Sequence, residues 1–488
     1  MNEISEIFTR NNIITTIYIL NVIFIITIIF FERRKHSSTI IWIMILSLTH
    51  ILGFVLYIFF GLSFRKRRFT NKYYKKYSFD KKKFMKDAIL DTTFHPQDHI
   101  IRLFNVKNHA HLRVNNEIKV FNHGRELFED LKNSLRRAEK YIHMEYFIFE
   151  NDKIGTEIMD ILVEKAKSGV EVKLIYDGMG CLKVPKSFYR RLSDVGGEVL
   201  NFFPPFLSKF GLRVNYRTHR KIVLVDGKYG YLGGMNIGDE YLGNNEKIGD
   251  WRDTHLRIQG SAILGLEKEF FINLEFMREQ GSFFKRGKRK KKIEIDEYLN
   301  FEKVEGKSDT QIVSSGPDYE EPYIKNGIFK MITGAKKSIY IQTPYFIPDD
   351  TLLEALKIAV MGGVEVNIMI PNKPDHYFVY WATLSYIGDL VKLGAKCYTY
   401  EKGFLHSKVV IVDDEICTVG STNIDIRSFL LNFEINVFIY DPEVALELKN
   451  VFLEDIQNSA LITTKRYRER SIIVRFKESI SRLLSPIM

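Results

Sequence analysis

Cysteine is scarce in this chain: Cys181, Cys397 and Cys417 are the three cysteines among 488 residues, and their spacing shows no pairs. A disulfide framework and a cysteine zinc site are therefore not predicted, and a reducing compartment is the simpler interpretation. His-Glu-x-x-His and Cys-x-x-Cys clusters are also missing from the sequence, so no metal site is expected. The chain is too long for one ordinary hydrophobic core, which predicts at least two domains.

Charged side chains are missing from two long runs near the start of the sequence. Residues 13–31 contain none, and residues 39–64 contain only His50 as a group that titrates near neutral pH. Each run is long enough to cross a hydrocarbon core of about 30 Å as a helix. Glu3 and Glu6 precede the first run and no small-residue cleavage site follows it, so a secretory signal peptide is not predicted. The alternative is two buried helices of a soluble core.

Only seven residues, 32–38, join the two runs, which predicts a tight transmembrane hairpin with both ends on one side of the membrane. Three basic residues lie in this loop, but residues 65–83 carry ten Lys or Arg and one Asp. The larger positive excess places the body of the chain in the cytoplasm. The sequence thus predicts an integral cell-membrane protein with two spans and a cytoplasmic body.

Basic residues outnumber acidic ones by 71 to 60, which gives a formal net charge of +11 and predicts an anionic partner. Nucleic acid and an acidic membrane surface both fit this charge, and the two apolar runs favour the membrane, so no nucleic acid is expected. Residues 285–292 hold seven basic residues in eight. A solvated linker and a contact with anionic lipid both remain open for this segment.

A His-x-Lys-x4-Asp motif occurs twice, as His219, Lys221 and Asp226 and again as His406, Lys408 and Asp413. Seven residues after each Asp begins a Gly-(Gly or Ser)-x-Asn string, which ends at Asn236 in the first copy and at Asn423 in the second. Because side chains alternate along a strand, the His and Lys of each copy point the same way. The four residues after each Lys are apolar, which is typical of a central strand covered on both faces. We therefore expect each His-Lys pair at the end of a buried strand, with the Asn returned beside it.

The similarity between the two halves extends beyond these motifs. Residues 169–172 and 363–366 both read Gly-Val-Glu-Val, and a matching stretch precedes each of them at residues 138–148 and 335–347. Helical spacing over residues 126–140 and 154–167 alternates with strand patterns at 141–149 and 170–176, which predicts an α/β fold. The sequence therefore predicts a duplication of whole domains.

Residues 468–488 place their apolar side chains on one side of a predicted amphipathic helix. Packing on the second domain and lying at a membrane interface both remain open for this helix.

The paired motifs resemble those of the phospholipase D superfamily, and the wider arrangement is similar to that of bacterial cardiolipin synthases. The shared strings are residues 143–149, 233–241, 251–253 and 481–486, with the predicted N-terminal hairpin. The resemblance implies two tandem phospholipase D-like α/β/α sandwich domains, at residues 111–282 and 311–488. A transmembrane hairpin (1–64), a basic juxtamembrane linker (65–110) and a basic inter-domain linker (283–310) complete this division.

The resemblance also implies that both motif sets face one cleft and supplies roles for their residues. His219 is expected to be the nucleophile and His406 the acid and then the base, while Asp253 and Glu434 orient the two imidazoles. Fixed donors to phosphate oxygens are expected from Lys221, Lys408, Asn236, Asn423 and Ser421. Asp226 and Asp413 belong to the catalytic motifs, but their position at a strand end is more typical of turn-fixing residues.

The reaction that this resemblance implies needs no cofactor. A phosphatidyl group passes from one phosphatidylglycerol to a second, through a phosphatidyl-histidine, to give cardiolipin and glycerol. A phospholipase D that uses water and yields phosphatidic acid, a nuclease of the same superfamily, and a non-enzymatic membrane scaffold are the rival predictions.

Overall fold

The structure is a computed structural model that describes residues 15–16, 18–26, 36–57, 81–85, 88–89, 95–202, 216–243, 249–284, 295–373 and 375–485. The basic loop at 33–35, the basic residues 65–80 and the basic linker at 285–292 lie outside these residues.

Residues 18–26 are helical, and a series of α-helices follows along the chain. These are α1 (His36–Leu56), α2 (Asp98–Lys107), α3 (Gly124–Arg136), α4 (Lys153–Lys167), α5 (Lys186–Ser193), α6 (Ile263–Phe284), α7 (Tyr323–Gly334), α8 (Asp350–Met361), α9 (Tyr377–Leu393), α10 (Ile426–Leu430), α11 (Pro442–Ile456), α12 (Thr464–Arg468) and α13 (Ile472–Leu484).

The strands alternate with these helices. They are β1 (Arg113–Phe121), β2 (Tyr141–Tyr146), β3 (Glu171–Asp177), β4 (Glu198–Phe202), β5 (Arg217–Thr218), β6 (Lys221–Val225), β7 (Tyr229–Gly233), β8 (Asp250–Arg252), β9 (His255–Gln259), β10 (Ser308–Ser315), β11 (Ser338–Gln342), β12 (Phe346–Ile347), β13 (Glu365–Pro371), β14 (Lys396–Tyr400), β15 (Gly403–Leu405), β16 (Val409–Val412), β17 (Ile416–Gly420), β18 (Ile424–Asp425), β19 (Asn432–Tyr440) and β20 (Ser459–Leu461).

One continuous sheet runs through both halves of the protein. The first half contributes the order β1-β9-β7-β6-β2-β3-β4, and the second half contributes β10-β19-β17-β16-β11-β13-β14-β20. The halves join where β1 pairs antiparallel with β10. Equivalent strands follow the same order in each half, so the predicted tandem α/β domains are confirmed.

Helices α4 and α8 show how the repeated sequence produces the repeated structure. Asp152 caps α4 by accepting a hydrogen bond from the amide of Gly155, and Asp349 caps α8 in the same way from Leu352. After the helices come Gly169 at φ 93° and Gly363 at φ 87°, where glycine avoids the steric cost of left-handed backbone. Each helix therefore starts and stops at equivalent positions and leads into a buried strand.

Helices cover both faces of the sheet. In the first half, α3, α4 and α5 pack on one face, and in the second half α7, α8 and α9 do the same. Residues of α6 and α11 belong to a third apolar core, which contains residues from both halves. Strands β6 and β16 are buried along their whole length, so both His-x-Lys motifs lie at the start of a buried strand of the central sheet.

The helical residues 18–26 pack against α1. Asn21 Nδ2 donates to the carbonyl of Leu46 at 2.9 Å, and the rings of Phe24 and Trp42 lie 5.1 and 5.2 Å from that of Tyr57. Among the described residues, no helix combines the length and hydropathy needed to span a membrane. Parts of both predicted spans, 13–31 and 39–64, lie outside those residues, so the transmembrane hairpin stays a prediction.

Candidate active site

A cavity of about 680 Å³ lies between the two halves. His219 and Asn236 reach it from the first half, and His406 and Asn423 reach it from the second. Its remaining wall includes five aromatic side chains, Phe147, Tyr241, Trp251, Tyr345 and Phe404. The structure therefore brings the two predicted His-Asn sets to one cavity, whose wall also contains charged side chains such as Arg217 and Lys373.

His219 is held by the second half of the chain. The short strand β5 pairs in parallel with the start of β19, with Thr218 opposite Phe433. His219 N donates to the Phe433 carbonyl at 2.9 Å, and His219 Nδ1 lies 3.0 Å from Glu434 Oε1. A hydrogen bond at Nδ1 fixes the tautomer of the ring and leaves Nε2 for chemistry.

His406 is held by the first half in the same manner. Strand β15 pairs in parallel with β8, with Leu405 opposite Arg252. His406 N donates to the Arg252 carbonyl at 2.7 Å, and His406 Nδ1 lies 2.7 Å from Asp253 Oδ2. The two predicted orienting carboxylates are thus crossed, because each one contacts the imidazole of the opposite half.

The two motif lysines lie behind the histidines and are buried. Lys221 Nζ donates to the His219 carbonyl at 2.6 Å, and Lys408 Nζ donates to the His406 carbonyl. Lys408 Nζ is also 2.8 Å from His406 Nδ1, but that nitrogen cannot accept from Lys408 while it donates to Asp253. Each ammonium has three N–H groups, so donors remain beyond these contacts.

Burial shapes the electrostatics of this site. It lowers the pKa of Lys221 to about 7 and that of Lys408 to about 8. Burial also lowers the pKa of His219, which Glu434 partly opposes, and burial with the nearby Lys408 lowers the pKa of His406 to about 4. Both imidazoles are therefore neutral near pH 7, and a bound anion would shift them toward the protonated form.

The carboxylates remain ionised in spite of their burial. Desolvation alone would raise the pKa of Asp253, but Lys408 and His406 outweigh it and hold that pKa below its usual value. Desolvation is outweighed in the same way at Glu434, where His219 is the largest opposing influence on the pKa. Each buried negative charge is thus compensated by groups of the catalytic motifs.

The two predicted asparagine ligands differ in their surroundings. Asn236 Nδ2 donates to Tyr241 Oη at 2.8 Å and Asn236 Oδ1 accepts from the amide of Ile148 at 3.2 Å, which leaves one N–H of its amide group. Asn423 is buried, and no partner of its Oδ1 is found among the described residues. Both side chains border the cavity.

Ser421 does not border the cavity. Its hydroxyl donates to Glu434 Oε2 and accepts from the amide of Ile435 at 3.0 Å, and the side chain is fully buried. The predicted contact of Ser421 with phosphate is therefore not supported. At the equivalent position, a Cβ on Gly234 would lie 2.0 Å from Asp253 Oδ1, so the carboxylate occupies the space of a side chain there.

The motif aspartates lie at the opposite ends of their strands from the histidines. Asp226 has φ 54° and accepts from the amides of Glu139, Lys140 and Tyr141 at 2.7 to 2.8 Å. Asp413 has φ 57° and accepts in the same way from residues 336–338. Strand β6 separates Asp226 from His219 by roughly 15–20 Å, so the structure gives these aspartates the turn-fixing position.

Within the described ranges, no group of three or more His, Cys, Asp or Glu side chains is placed to hold a metal ion.

Comparison with known proteins places this site in a family. Residues 131–251 and 328–456 match the family described as cardiolipin synthase, phospholipase D-like domain, and residues 19–61 match a phospholipase D-nuclease N-terminal family. The major cardiolipin synthase of Bacillus subtilis is 44% identical, with 98% of this chain and 99% of that protein covered. The chain belongs to the phospholipase D-like cardiolipin synthase family.

Other members of the cardiolipin synthase family also match this chain over nearly the full length of both proteins. A cardiolipin synthase of Staphylococcus aureus is 44% identical over 98% of this chain and 97% of its own. One of Listeria innocua is 42% identical over 98% and 99% of the two chains. Among solved structures, a phosphatidylserine synthase of Haemophilus influenzae has the same fold, with a TM-score of 0.56 and 16% identity over 80% of this chain and 97% of that one.

Three features of the site in this cardiolipin synthase family member were missed from the sequence. These are the crossed pairing of carboxylates and histidines, the contact of Tyr241 with Asn236, and the role of Gly234 in making room for Asp253. The Gly-for-Ser exchange between the two copies is the one signal of this arrangement that the sequence contains.

Proposed function

We propose that this chain is a cardiolipin synthase that transfers a phosphatidyl group between two phosphatidylglycerol molecules and releases glycerol. The observation that carries this proposal is the pair of carboxylate-bound imidazoles, His219 and His406, on one cavity. The near full-length similarity to curated cardiolipin synthases supports the choice of lipid substrates.

In the first half-reaction, Nε2 of His219 attacks phosphorus and the bond from phosphorus to the glycerol oxygen breaks. His406, protonated when the anionic lipid is bound, gives its proton to the departing alkoxide, which contributes about 10²–10⁴ in rate. The products are a phosphatidyl-histidine at His219 and free glycerol. Lys221, Lys408 and the two asparagines stabilise the charge that develops on the phosphoryl oxygens.

In the second half-reaction, the terminal hydroxyl of another phosphatidylglycerol attacks the phosphatidyl-histidine. His406, now neutral, takes the hydroxyl proton as the new bond to phosphorus forms. The bond from phosphorus to His219 then breaks, and cardiolipin leaves. The aromatic side chains of the cavity wall favour a lipid alcohol over water, since they offer the acceptor apolar surface.

The proposal is tested by adding labelled phosphatidylglycerol to the full chain in vesicles and resolving the lipids and released glycerol. We expect cardiolipin and glycerol in equal amounts, and loss of both in His219→Ala and in His406→Ala. His99→Ala on α2, an exposed histidine outside the cavity, serves as the control. Phosphatidic acid as the main product would instead make the protein a phospholipase D.

The order of the two histidines is tested with a phosphatidyl ester of p-nitrophenol, whose leaving group needs no acid. His406→Ala should release about one equivalent of nitrophenol and retain a phosphatidyl group on His219, because its second step lacks a base. His219→Ala should release none. The reverse pattern would exchange the two roles.

We further propose that residues 13–31 and 39–64 anchor the protein in the cell membrane, with the catalytic domains in the cytoplasm. The contact of Asn21 with Leu46 is compatible with a helical hairpin. A cysteine introduced in the loop 32–38 should react with a membrane-impermeant thiol reagent in intact cells, whereas one on the catalytic body should react only after the membrane is opened. Labelling of the body in intact cells would contradict this topology.

A further inference from the structure

Helix α13 packs with its polar side against the protein and its apolar side outward. Glu478 is 3% exposed and Ser481 is 1% exposed, whereas Ile472 is 82% and Phe476 is 67% exposed. A helix that packs on a globular core normally shows the opposite arrangement. The apolar residues form a stripe about 100° wide on the helix, at 100° per residue. We call this stripe the apolar patch: Ile472, Ile473, Phe476, Ile480 and Leu483.

Specific polar contacts fix this orientation. Glu478 accepts from Arg470 Nε at 2.8 Å, and Arg482 forms an ion pair with Asp389 of α9 at 2.7 Å. The hydroxyls of Ser485 and Tyr386 are 2.9 Å apart. Turning the helix to bury its apolar patch would break these contacts, so they hold the patch outward.

The start of α9 and the end of α13 reach the cavity between the two halves. Tyr377 and Phe378, at the start of α9, are exposed by 72% and 58%. Their neighbours His376 and Val379 line the cavity, as does Ser485 after the end of α13. The start of α9 and the residue that follows α13 thus form part of the cavity wall.

Charge indicates what covers the apolar patch. Residues 464–485 contain seven basic residues and two acidic ones, and Arg475 and Lys477 flank the patch on α13. Apolar residues bordered by lysine and arginine are typical of helices that lie in an anionic lipid interface. A protein partner would not by itself call for this excess of one sign.

We propose that α13 and the start of α9 bind the surface of an anionic bilayer and set the cavity mouth against the lipid headgroups. This inference rests on the proposed function, because both substrates of that reaction lie in the bilayer. The apolar patch inserts among the acyl chains near the headgroups, and the flanking basic residues contact lipid phosphates. Phosphatidylglycerol then reaches the cavity without passing through water.

The first test uses single fluorophore labels on the full chain reconstituted in phosphatidylglycerol vesicles. Cys181, Cys397 and Cys417 are buried, so a cysteine introduced at Phe476→Cys is labelled selectively. We expect nitroxide-bearing lipids to quench this label and aqueous iodide to quench it weakly. Ile358→Cys on α8, where the native residue is 60% exposed, is the matched control and should show the opposite response.

Two results of the labelling test would overturn the proposal. Iodide quenching at position 476 equal to that at position 358 would place the apolar patch in water. Protection from both quenchers would show that protein covers the patch, either a second copy or another part of this chain.

The second test separates interfacial binding from catalysis. Ile473→Ser with Phe476→Ser should lower the rate on phosphatidylglycerol vesicles by about five- to tenfold, because the cavity is no longer held at the surface. The rate on monomeric short-chain phosphatidylglycerol should stay at the wild-type value. The control is Ile358→Ser with Met361→Ser, which makes the same change at exposed residues of α8.

Equal rates of the patch variant and wild type on vesicles would refute the interfacial role. An equal loss on vesicles and on monomeric substrate would also refute it, since the patch would then act on the catalytic fold. Failure of the proposed function is a different result, in which the wild-type protein forms no cardiolipin from either substrate while label 476 still contacts lipid.

Discussion

Replacing Gly234 by alanine tests whether Asp253 controls His406. The added Cβ would lie 2.0 Å from Asp253 Oδ1 and 2.7 Å from its Cγ, against an ordinary contact distance of about 3.5 Å. The carboxylate must therefore move by more than about 1 Å. Its 2.7 Å contact with His406 Nδ1 would then exceed hydrogen-bond length.

The size of the effect follows from this displacement. A catalytic group misplaced by about 1 Å costs roughly 10² in rate, so kcat for cardiolipin formation should fall about a hundredfold. KM should change little, since Gly234 does not border the cavity. A buried carboxylate deprived of a partner also costs about 1–3 kcal/mol of unfolding free energy. The assay measures kcat and KM on phosphatidylglycerol vesicles, with thermal unfolding in parallel.

Gly334→Ala is the matched control, because the nearest atom to its Cβ would be His99 Nε2 at 3.7 Å. This variant should keep the wild-type kcat. A folded Gly234→Ala protein with wild-type kcat would refute the positioning role of Asp253. If the Gly234→Ala protein fails to fold, Asp253→Asn is the second test variant, because it retains the volume of the side chain but not its charge.

Three further predictions concern other parts of the site. Glu434→Gln should lower kcat by about 10²–10⁴, because the amide no longer favours the required His219 tautomer; wild-type kcat would contradict this. The inhibition constant of vanadate should rise by about tenfold per pH unit for each lysine that must be protonated to bind it. The rise should begin above pH 7 to 8, because Lys221 has a pKa of about 7 and Lys408 one of about 8. A flat inhibition profile from pH 6 to 9 would contradict that linkage. Asp226→Ala should lower the unfolding free energy by about 1–3 kcal/mol in urea titrations and leave kcat unchanged, whereas loss of kcat in folded protein would make Asp226 catalytic.

Local sequence signals predicted the elements that carry the site. The apolar residues 222–225 and 409–412 are β6 and β16 as expected, because nothing but a buried strand suits four such residues between a His-Lys pair and a turn. The turn-fixing position of Asp226 was also legible, since Asp tolerates left-handed backbone and Gly227 follows it. These features depend on contacts within one half.

The arrangement between the halves could not be predicted in this way. His219 and Glu434 are 215 residues apart, and a two-residue parallel pairing of β5 with β19 brings them together. Such a short bridge leaves no periodic pattern in the sequence. Ser421 shows the same limit, because its motif position suggested a phosphate contact while its hydroxyl is used by Glu434.

The two halves solve one geometric problem with different pairs of residues. In one pair, the side chain of Ser421 lies beside the carboxylate of Glu434, which is one methylene longer than Asp253. In the other pair, Gly234 has no side chain, and the carboxylate of Asp253 occupies the equivalent space. A substitution in one member of a pair, such as Gly234, should therefore be tolerated only with a matching substitution in the other member, Asp253. Gly234→Ser alone should lower kcat about a hundredfold, because its side chain displaces the carboxylate. Adding Asp253→Glu should recover at least about tenfold of that loss, as expected for contacting residues with non-additive effects. If the double variant is no faster than Gly234→Ser, the two carboxylates are not held by equivalent geometry, and the crossed pairs do not act as matched units.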